Sequence, residues 1–413
     1  MSEFNINLSA GEKKRLLTGG KYCPDDIVVE AEGGGAPAAV EEKDVNFYDY
    51  DGTLLYSYTL VEVQALTELP PLPSQPRLIC QGWTWTLDDL KVYAKPNDIM
   101  PYYVTEDGAT WYDLENDIGR GLAVTFRWRP LGGAVSLDFG DGSEIYTDAS
   151  TAIGSIAEIT HVYAPGKYRA KLSGEYNLGG PGNAVSDVSE SVSICLRKVY
   201  LGEYPSELRS YTFRGCRCMD TCTFPLAVRI SDTQVFFECV NLRAMILAGG
   251  IKSNQTISSS VTAACTVLRV MSIPNNIKRW YGSATMRSIK RICIPDDLLL
   301  AAGSMADAEA LMHVNIPHNT ITLPANLFLR CKALTDLTIP SSVTSIESQA
   351  LLNCSVLMTL KFLPTTPPTV ANANAFGGIP TSCVVEVPKG TLAAYQAATN
   401  YATLSAQMVE AET

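Results

Sequence analysis

The segment VNFYDYDGTLL, residues 45–55, sets two carboxylates, Asp49 and Asp51, behind an apolar run and ahead of Gly52-Thr53. One carboxylate so placed can attack phosphorus while the second handles the leaving-group proton. A phosphatase built on such a pair would need more around it than two carboxylates. The chain instead continues TLVEVQALTELPPLP and then QGWTWTLDD, which reads as strand, proline-rich link and strand. Its one other tempting pair, Asp296-Asp297, falls inside a repeat far downstream. Asp51-Gly52 is therefore read as the turn of a hairpin, and neither Asp49 nor Asp51 as catalytic.

Other residues of chemical interest are weighed the same way. Asp138 and Asp141, in VSLDFGDGSEIYT, could hold calcium, but beside Gly140 and Gly142 they read as turn-capping carboxylates. His161, in ITHVYAPGKY, is expected to make a structural hydrogen bond, with no nucleophile near it in the pattern. Twelve cysteines are accompanied by only three histidines. No C-x-x-C pair has a matching second pair, so no metal site is expected, and no cofactor is implied. The sharpest feature is basic. Arg243, Lys252, Arg269, Lys278, Arg279, Arg287, Lys290 and Arg291 follow one another with no acidic residue between them. Lys278, Arg279, Trp280, Tyr281, Arg287, Lys290 and Arg291 form the candidate binding patch. Its cations would pair with phosphate or carboxylate of an acidic polymer, and a ring would stack on a sugar. The plainer reading is a solvated edge that keeps the chain soluble.

Bulk properties narrow the classes. The chain has 413 residues, 46% of them hydrophobic, enough for a substantial core. No apolar run reaches the roughly 18 residues of a membrane helix. MSEFNINLSAGEKKRLL lacks the charged stretch and apolar core of a secretory signal, so neither export nor a disulfide framework is expected. Residues 1–189 hold 14 Lys and Arg against 28 Asp and Glu, while residues 190–413 hold 18 against 15. The acidic half is not expected to bind nucleic acid or an anionic membrane.

The elements that must carry these residues come from an internal repeat. FRGCRCMDTCTFP (213–225), FFECVNLRAMIL (236–247), FLRCKALTDLTIP (328–340) and LLNCSVLMTLKFL (351–363) share the frame F-x-x-C-x-x-L-x-x-L-x-x-P. Weaker copies start at 190, 262, 283 and 305, so the spacing stays near 23 residues. A unit of that length is one coil of a solenoid, which buries its apolar side only by stacking on its neighbours. Leu334, Leu337, Ile339, Leu357 and Leu360 are expected to point inward. Cys216, Cys239, Cys265, Cys331 and Cys354 share one frame position and are expected to form a buried column. Coils 262–317 lack the leading aromatic and are expected to be distorted.

These repeats resemble the BspA-type leucine-rich repeats over residues 190–363. TTPPTVANANAFGGIPTSCVVEVPKGTLAAYQAATNYATLSAQM (365–408) resembles that family's terminal segment, a strand and then an amphipathic helix whose Tyr395, Tyr401 and Leu404 would cap the array. DFGDG…HVY…PGKY, within 119–180, resembles a polycystic-kidney-disease (PKD) domain, an immunoglobulin-like β-sandwich. Residues 43–118 resemble the β-grasp-like internalin-type B modules, with the aromatic strand, Asp-Gly-Thr, prolines and Gly-Trp. The opening DxDGT is also similar to that of the haloacid-dehalogenase phosphatases, whose remaining parts are missing. Residues 1–32, ending GGKYCPDDIVVEAE, resemble N-terminal segments of phage tail, baseplate and fibre proteins, and 33–42 reads as a flexible linker.

The expected architecture is a mainly β multidomain chain. An attachment segment (1–32) and linker (33–42) precede two small β modules (43–118 and 119–180), a solenoid (190–363) and a cap (364–413). The expected function is that of a non-enzymatic virion structural protein of the tail fibre, baseplate or capsid surface. A bacterial surface adhesin is the alternative. Expected partners are other virion proteins through residues 1–32, a host surface protein or glycan, and further copies of the chain. Neither nucleic acid nor membrane is among them.

Overall fold

A computed structural model describes residues 40–179, 183–186, 195–230, 234–247, 255–257, 261–275, 277–280, 287–296 and 298–412. The expected attachment segment and most of the linker lie outside the described residues. Two strands, β1 (Val45–Tyr48) and β2 (Leu54–Tyr58), form an antiparallel hairpin. Its turn closes through the amide of Asp49 on the carbonyl of Thr53 at 2.8 Å and that of Gly52 on Asp49 at 3.0 Å. A six-residue helix, α1 (Leu60–Ala65), does follow, where the sequence reading placed only strand and link. Its signal was TLVE: Thr59 and Glu62 make a reciprocal capping box. The module is completed by β3 (Leu78–Trp83), α2 (Leu87–Tyr93), β4 (Asn97–Ile99) and β5 (Pro101–Thr105). β4 runs parallel to β1, and β3 pairs with β5. The module's own core holds Val45, Phe47, Val63, Trp85, Leu90 and Ile99.

The next module is a β-sandwich built on β6 (Thr110–Asn116), β7 (Leu122–Asp138), β8 (Tyr146–Asp148), β9 (Ala157–Tyr163) and β10 (Gly166–Asn177). The long β7 serves both layers. Its first half pairs with β9 and its second half with β8 and β10. Alternation along β7 sends Leu122, Val124, Phe126 and Trp128 inward. The Phe126 ring meets Tyr112 of β6 at 5.9 Å. β6 pairs antiparallel with β10 and so belongs to this module's sheet, although the sequence reading ran the preceding module through residue 118.

The solenoid begins on the sandwich without a break. β11 (Val185–Ser186) pairs with β7, and β12 (Leu196–Tyr200), in the first coil, pairs antiparallel with β6. The other edge of β12 then pairs parallel with Thr221–Cys222 of the second coil. The sandwich sheet therefore closes the open end of the array. About eight turns follow, each giving two short strands to two parallel ladders. The first ladder runs through Thr221–Cys222, Ala244–Ile246, Val270–Ser272, Arg291–Ile292, His313–Val314, Asp336–Ile339, Thr359–Phe362, Val384–Val387 and Met408–Glu410. The second runs through Glu207–Leu208, Arg229–Ile230, Gln255–Ile257, Ile277–Trp280, Leu299–Leu300, Thr322–Leu323, Ser345–Ile346 and Thr369–Val370.

Leu334, Leu337, Ile339, Leu357 and Leu360 all point into the array and are 3% exposed or less. The cysteine column is buried as expected, and the geometry gives it a task. Cys239 Sγ lies 3.0 Å from the carbonyl of Phe213, and Cys265 Sγ lies 3.0 Å from that of Phe236. Cys331 Sγ is 3.3 Å from Met305 and Cys354 Sγ 3.3 Å from Phe328. Each thiol donates to a buried carbonyl of the coil before it, so a small weak donor occupies the place. In coil 305 the leading aromatic is replaced by Met305, which is fully buried, and the cysteine by Ala308. Its amides still bond the next coil, Met305 to Leu327 at 3.1 Å and Asp307 to Leu329 at 2.8 Å. The expected distortion is absent there.

The far end is sealed by a helix, α3 (Leu392–Ala397), shorter than its amphipathic pattern suggested. Tyr395 Oη donates to the Pro364 carbonyl at 2.7 Å and Tyr401 Oη to Pro368 at 3.1 Å, while Asn400 Nδ2 caps the Val370 carbonyl at 2.7 Å. Carbonyls that a further coil would have bonded are satisfied by side chains.

Candidate binding surface

Asp49 is the first candidate to be placed. It is 3% exposed, and burial raises its carboxyl above the usual range. Oδ1 accepts from the Tyr50 amide at 2.8 Å and Tyr103 Oη at 3.0 Å, and Oδ2 from Gln75 Nε2 at 2.5 Å. Asp51 Oδ1 caps the Thr53 amide at 2.9 Å. Both carboxylates hold the turn together. In the sandwich, Asp138 and Asp141 likewise cap Gly140 and Ser143, and Asp141 Oδ2 holds His161 Nε2 at 2.6 Å. Burial opposes ionisation of Asp141, but the bonds from His161 and Ser143 bring it down to about 2. His161 also stacks on Phe139 at 4.0 Å. Among the described residues no group of three His, Cys, Asp or Glu is placed to hold a metal.

The basic stretch is divided by the coil. Lys278, Arg279 and Trp280 lie in the second-ladder strand Ile277–Trp280, whereas Lys290 and Arg291 reach the first ladder. Tyr281 lies outside the described residues, and Arg287 is exposed in a turn. Residues contiguous in sequence therefore do not form one surface, because a coil of about 23 residues crosses both ladders. The absence of nearby acids in the sequence also misled. Lys290 Nζ is 3.4 Å from Glu42 Oε2, and the buried Arg291 reaches Asp98 Oδ1 at 3.2 Å. Arg291 is a joint between modules, not a free ligand cation.

That joint is part of a cover. Residues 43–105 lie across the outward face of the first ladder over coils 213 to 283. Tyr103 donates its amide to the Phe224 carbonyl at 3.0 Å, and Trp85 Nε1 donates to Ile273 at 3.0 Å. Thr84 Oγ1 meets Ser272 Oγ at 2.7 Å. The hairpin turn at Gly52 (φ +86°) rests on Ala244 and Arg243.

Outward residues occupy the ninth and eleventh places of the repeat frame, and their character changes where the cover stops. Beneath it they are Thr221, Thr223, Ala244, Ile246, Val270, Ser272, Arg291 and Cys293, all buried. Beyond it they are His313, Asn315, Asp336, Thr338, Thr359, Lys361, Val384 and Glu386, all half-buried or exposed. Lys361 Nζ pairs with Glu386 Oε2 at 3.4 Å across adjacent coils. A cleft of about 200 Å³ marks the boundary, where Lys95 and Pro96 of the cover meet His313, His318, Asp336 and Thr338. The sequence reading missed this surface. The appearance of Asp336, Lys361 and Glu386 at two frame positions that are uncharged in the earlier coils, apart from Arg291, was its signal.

The BspA type leucine rich repeat region family matches residues 191–304 and 281–389, in six copies. No curated protein matches the chain. Among solved structures, a leucine-rich repeat protein from Bacteroides ovatus is 18% identical, with a TM-score of 0.36 over 47% of this chain and 57% of that one. A leucine rich cell surface protein from Faecalibacterium prausnitzii is 13% identical, with a TM-score of 0.25 over 50% of this chain and 77% of that one. The chain thus spans little more than half the length of the first of these. Residues 191–389 are an array of BspA-type leucine-rich repeats.

Proposed function

We propose that this chain is a non-catalytic binding protein that displays the open half of its first ladder to a surface protein or glycan of a host cell. The supporting observation is the change of outward residues from covered and, apart from Arg291, uncharged to open and mostly polar, with Asp336, Lys361 and Glu386 among them, along one rigid array. A rigid face with side chains in register rows lowers the ordering cost of binding. The setting proposed is a phage particle, on the tail fibre, baseplate or capsid surface. It rests on the likeness of residues 1–32 to phage tail segments, with the internalin-type B-like and PKD-like modules between anchor and array. A bacterial surface adhesin is the second reading. The family match favours it equally, because it falls on the repeats that both settings share.

The test is binding of the full chain to intact bacteria, compared with a variant carrying Asp336→Ala, Thr338→Ala, Lys361→Ala and Glu386→Ala. Loss of binding with unchanged unfolding supports the open face; undiminished binding moves the site elsewhere. Labelling with an antibody then separates the settings, since only one of virions and intact producing cells should be decorated. A magnesium-dependent phosphatase activity abolished by Asp49→Asn would overturn the non-catalytic reading.

A further inference from the structure

We propose that the cleft between the cover and the open ladder is a subsite for one ring of a neutral saccharide. This deepens the reading above and rests on it. The cleft is built by two parts of the chain more than 200 residues apart, Lys95-Pro96 after α2 and the strands of coils 305 and 328. Its volume, about 200 Å³, lies below the roughly 300–1,000 Å³ of drug-sized pockets and suits a single small ring.

The chemistry of the walls selects the ligand. Lys95 is half-buried and makes no ion pair among the described residues. Asp336 is 56% exposed; its Oδ2 accepts from Thr335 Oγ1 at 2.7 Å and lies 4.0 Å from His313 Nδ1. His318 is held by Asp296, at 3.1 Å from Nδ1 to Oδ2. Lys95 and Asp336 thus line the same cleft without forming an ion pair with each other. A hydroxyl suits either group, since it donates to a carboxylate and accepts from an ammonium. Neighbouring hydroxyls on a ring extend the pattern to Thr338. Pro96 and the exposed Leu363 supply an apolar shoulder for the C–H face of the ring. An anionic sugar is disfavoured, because its carboxylate would enter a cleft already lined by the carboxylate of Asp336.

The experiment is calorimetric or NMR titration of the intact protein with methyl glycosides of glucose, galactose, mannose and N-acetylglucosamine, their neutral oligosaccharides, and glucuronate. A neutral saccharide is expected to bind, with affinity reduced tenfold or more by Asp336→Ala and by Lys95→Ala. Both side chains are away from the core, and unchanged unfolding midpoints confirm that the variants fold. Binding unaffected by both substitutions, or preference for glucuronate, overturns the proposal. So does absence of saccharide binding by a protein that still binds cells, a result that leaves the broader reading standing. Failure to bind cells while saccharide binding at Asp336 persists has the reverse meaning: the subsite stands and the host-surface reading falls.

Discussion

Arg291 Nη1 lies 3.2 Å from Asp98 Oδ1, with the two side chains 9% and 3% exposed, and this contact fastens the N-terminal module to the fifth coil of the array. Asn46 Nδ2 also donates to Asp98 Oδ1, at 3.1 Å. Arg291→Ala would leave a carboxylate buried without its cation. The expected cost is about 3–5 kcal/mol, whereas replacing both partners together by apolar residues of similar volume should recover much of it. Denaturant unfolding of the single and double variants measures the difference.

The same pair sets a pH dependence. Burial pushes the Asp98 carboxyl up to about 6, with Arg291 opposing the shift. Between the ordinary carboxylate range and about 6, the folded chain therefore binds more protons than the unfolded chain. The contribution of Asp98 is fully present below its unfolded pKa and is lost as pH rises through about 6. Stability measured from pH 4 to pH 7 should show this decline, and Asp98→Asn should flatten it.

Leu337 and Leu360 are register partners on adjacent coils, and both are buried. Leu337→Ala and Leu360→Ala should each cost about 2–5 kcal/mol. Because the two share one cavity, the double variant should depart from additivity by about 0.5 kcal/mol or more. Melting of either single variant at the parental temperature would contradict the packing.

The thiol column should be inert until the array opens. Burial pushes the thiols of Cys265 and Cys354 up to about 12, and a thiol that is neither exposed nor ionised does not react. Maleimide labelling of the native protein should reach the half-buried Cys80 and Cys218 well before these two. Cys354→Ala, which removes the thiol from the Phe328 carbonyl but leaves the Cys331 amide on it at 3.2 Å, should cost about 0.5–1.5 kcal/mol for the lost bond.

One frame position takes a left-handed backbone in coil after coil: Gly215, Glu238, Ala264, Asp307, Arg330 and Asn353 all have φ between 59° and 69°. Side chains at this conformation are strained, and glycine is not. Ala264→Gly should therefore stabilise the protein, by about 0.5–1 kcal/mol after allowing for the greater freedom of glycine when unfolded. A lower unfolding midpoint would show that the methyl group makes a contact worth more than the strain.

Several features were legible from residue order because they depend on local spacing. The period near 23 residues, the inward leucines and the cysteine column all follow from one short frame repeated. Each coil presents its apolar side at the same places, and stacking is the one way to bury it. The hairpin at Asp51-Gly52 was legible for the same reason, since its turn is closed by residues within four positions of each other. The capping box at Thr59 was there to be read as well and was passed over.

The surface was not legible, because it is made by segments distant in the chain. The stretch from Arg243 to Arg291 holds no acid, yet Asp98 arrives from 193 residues away and turns a candidate ligand cation into a buried joint. Lys278 and Lys290 are twelve residues apart and lie on different ladders, since one coil crosses the array. The left-handed position hides behind six different residue types, because inter-coil hydrogen bonds impose the conformation whatever side chain is there. Which half of the ladder is open depends on where residues 43–105 come to rest. Repetition is a local property that residue order carries; occlusion and charge pairing arise only when the folded chain brings its separate parts into contact.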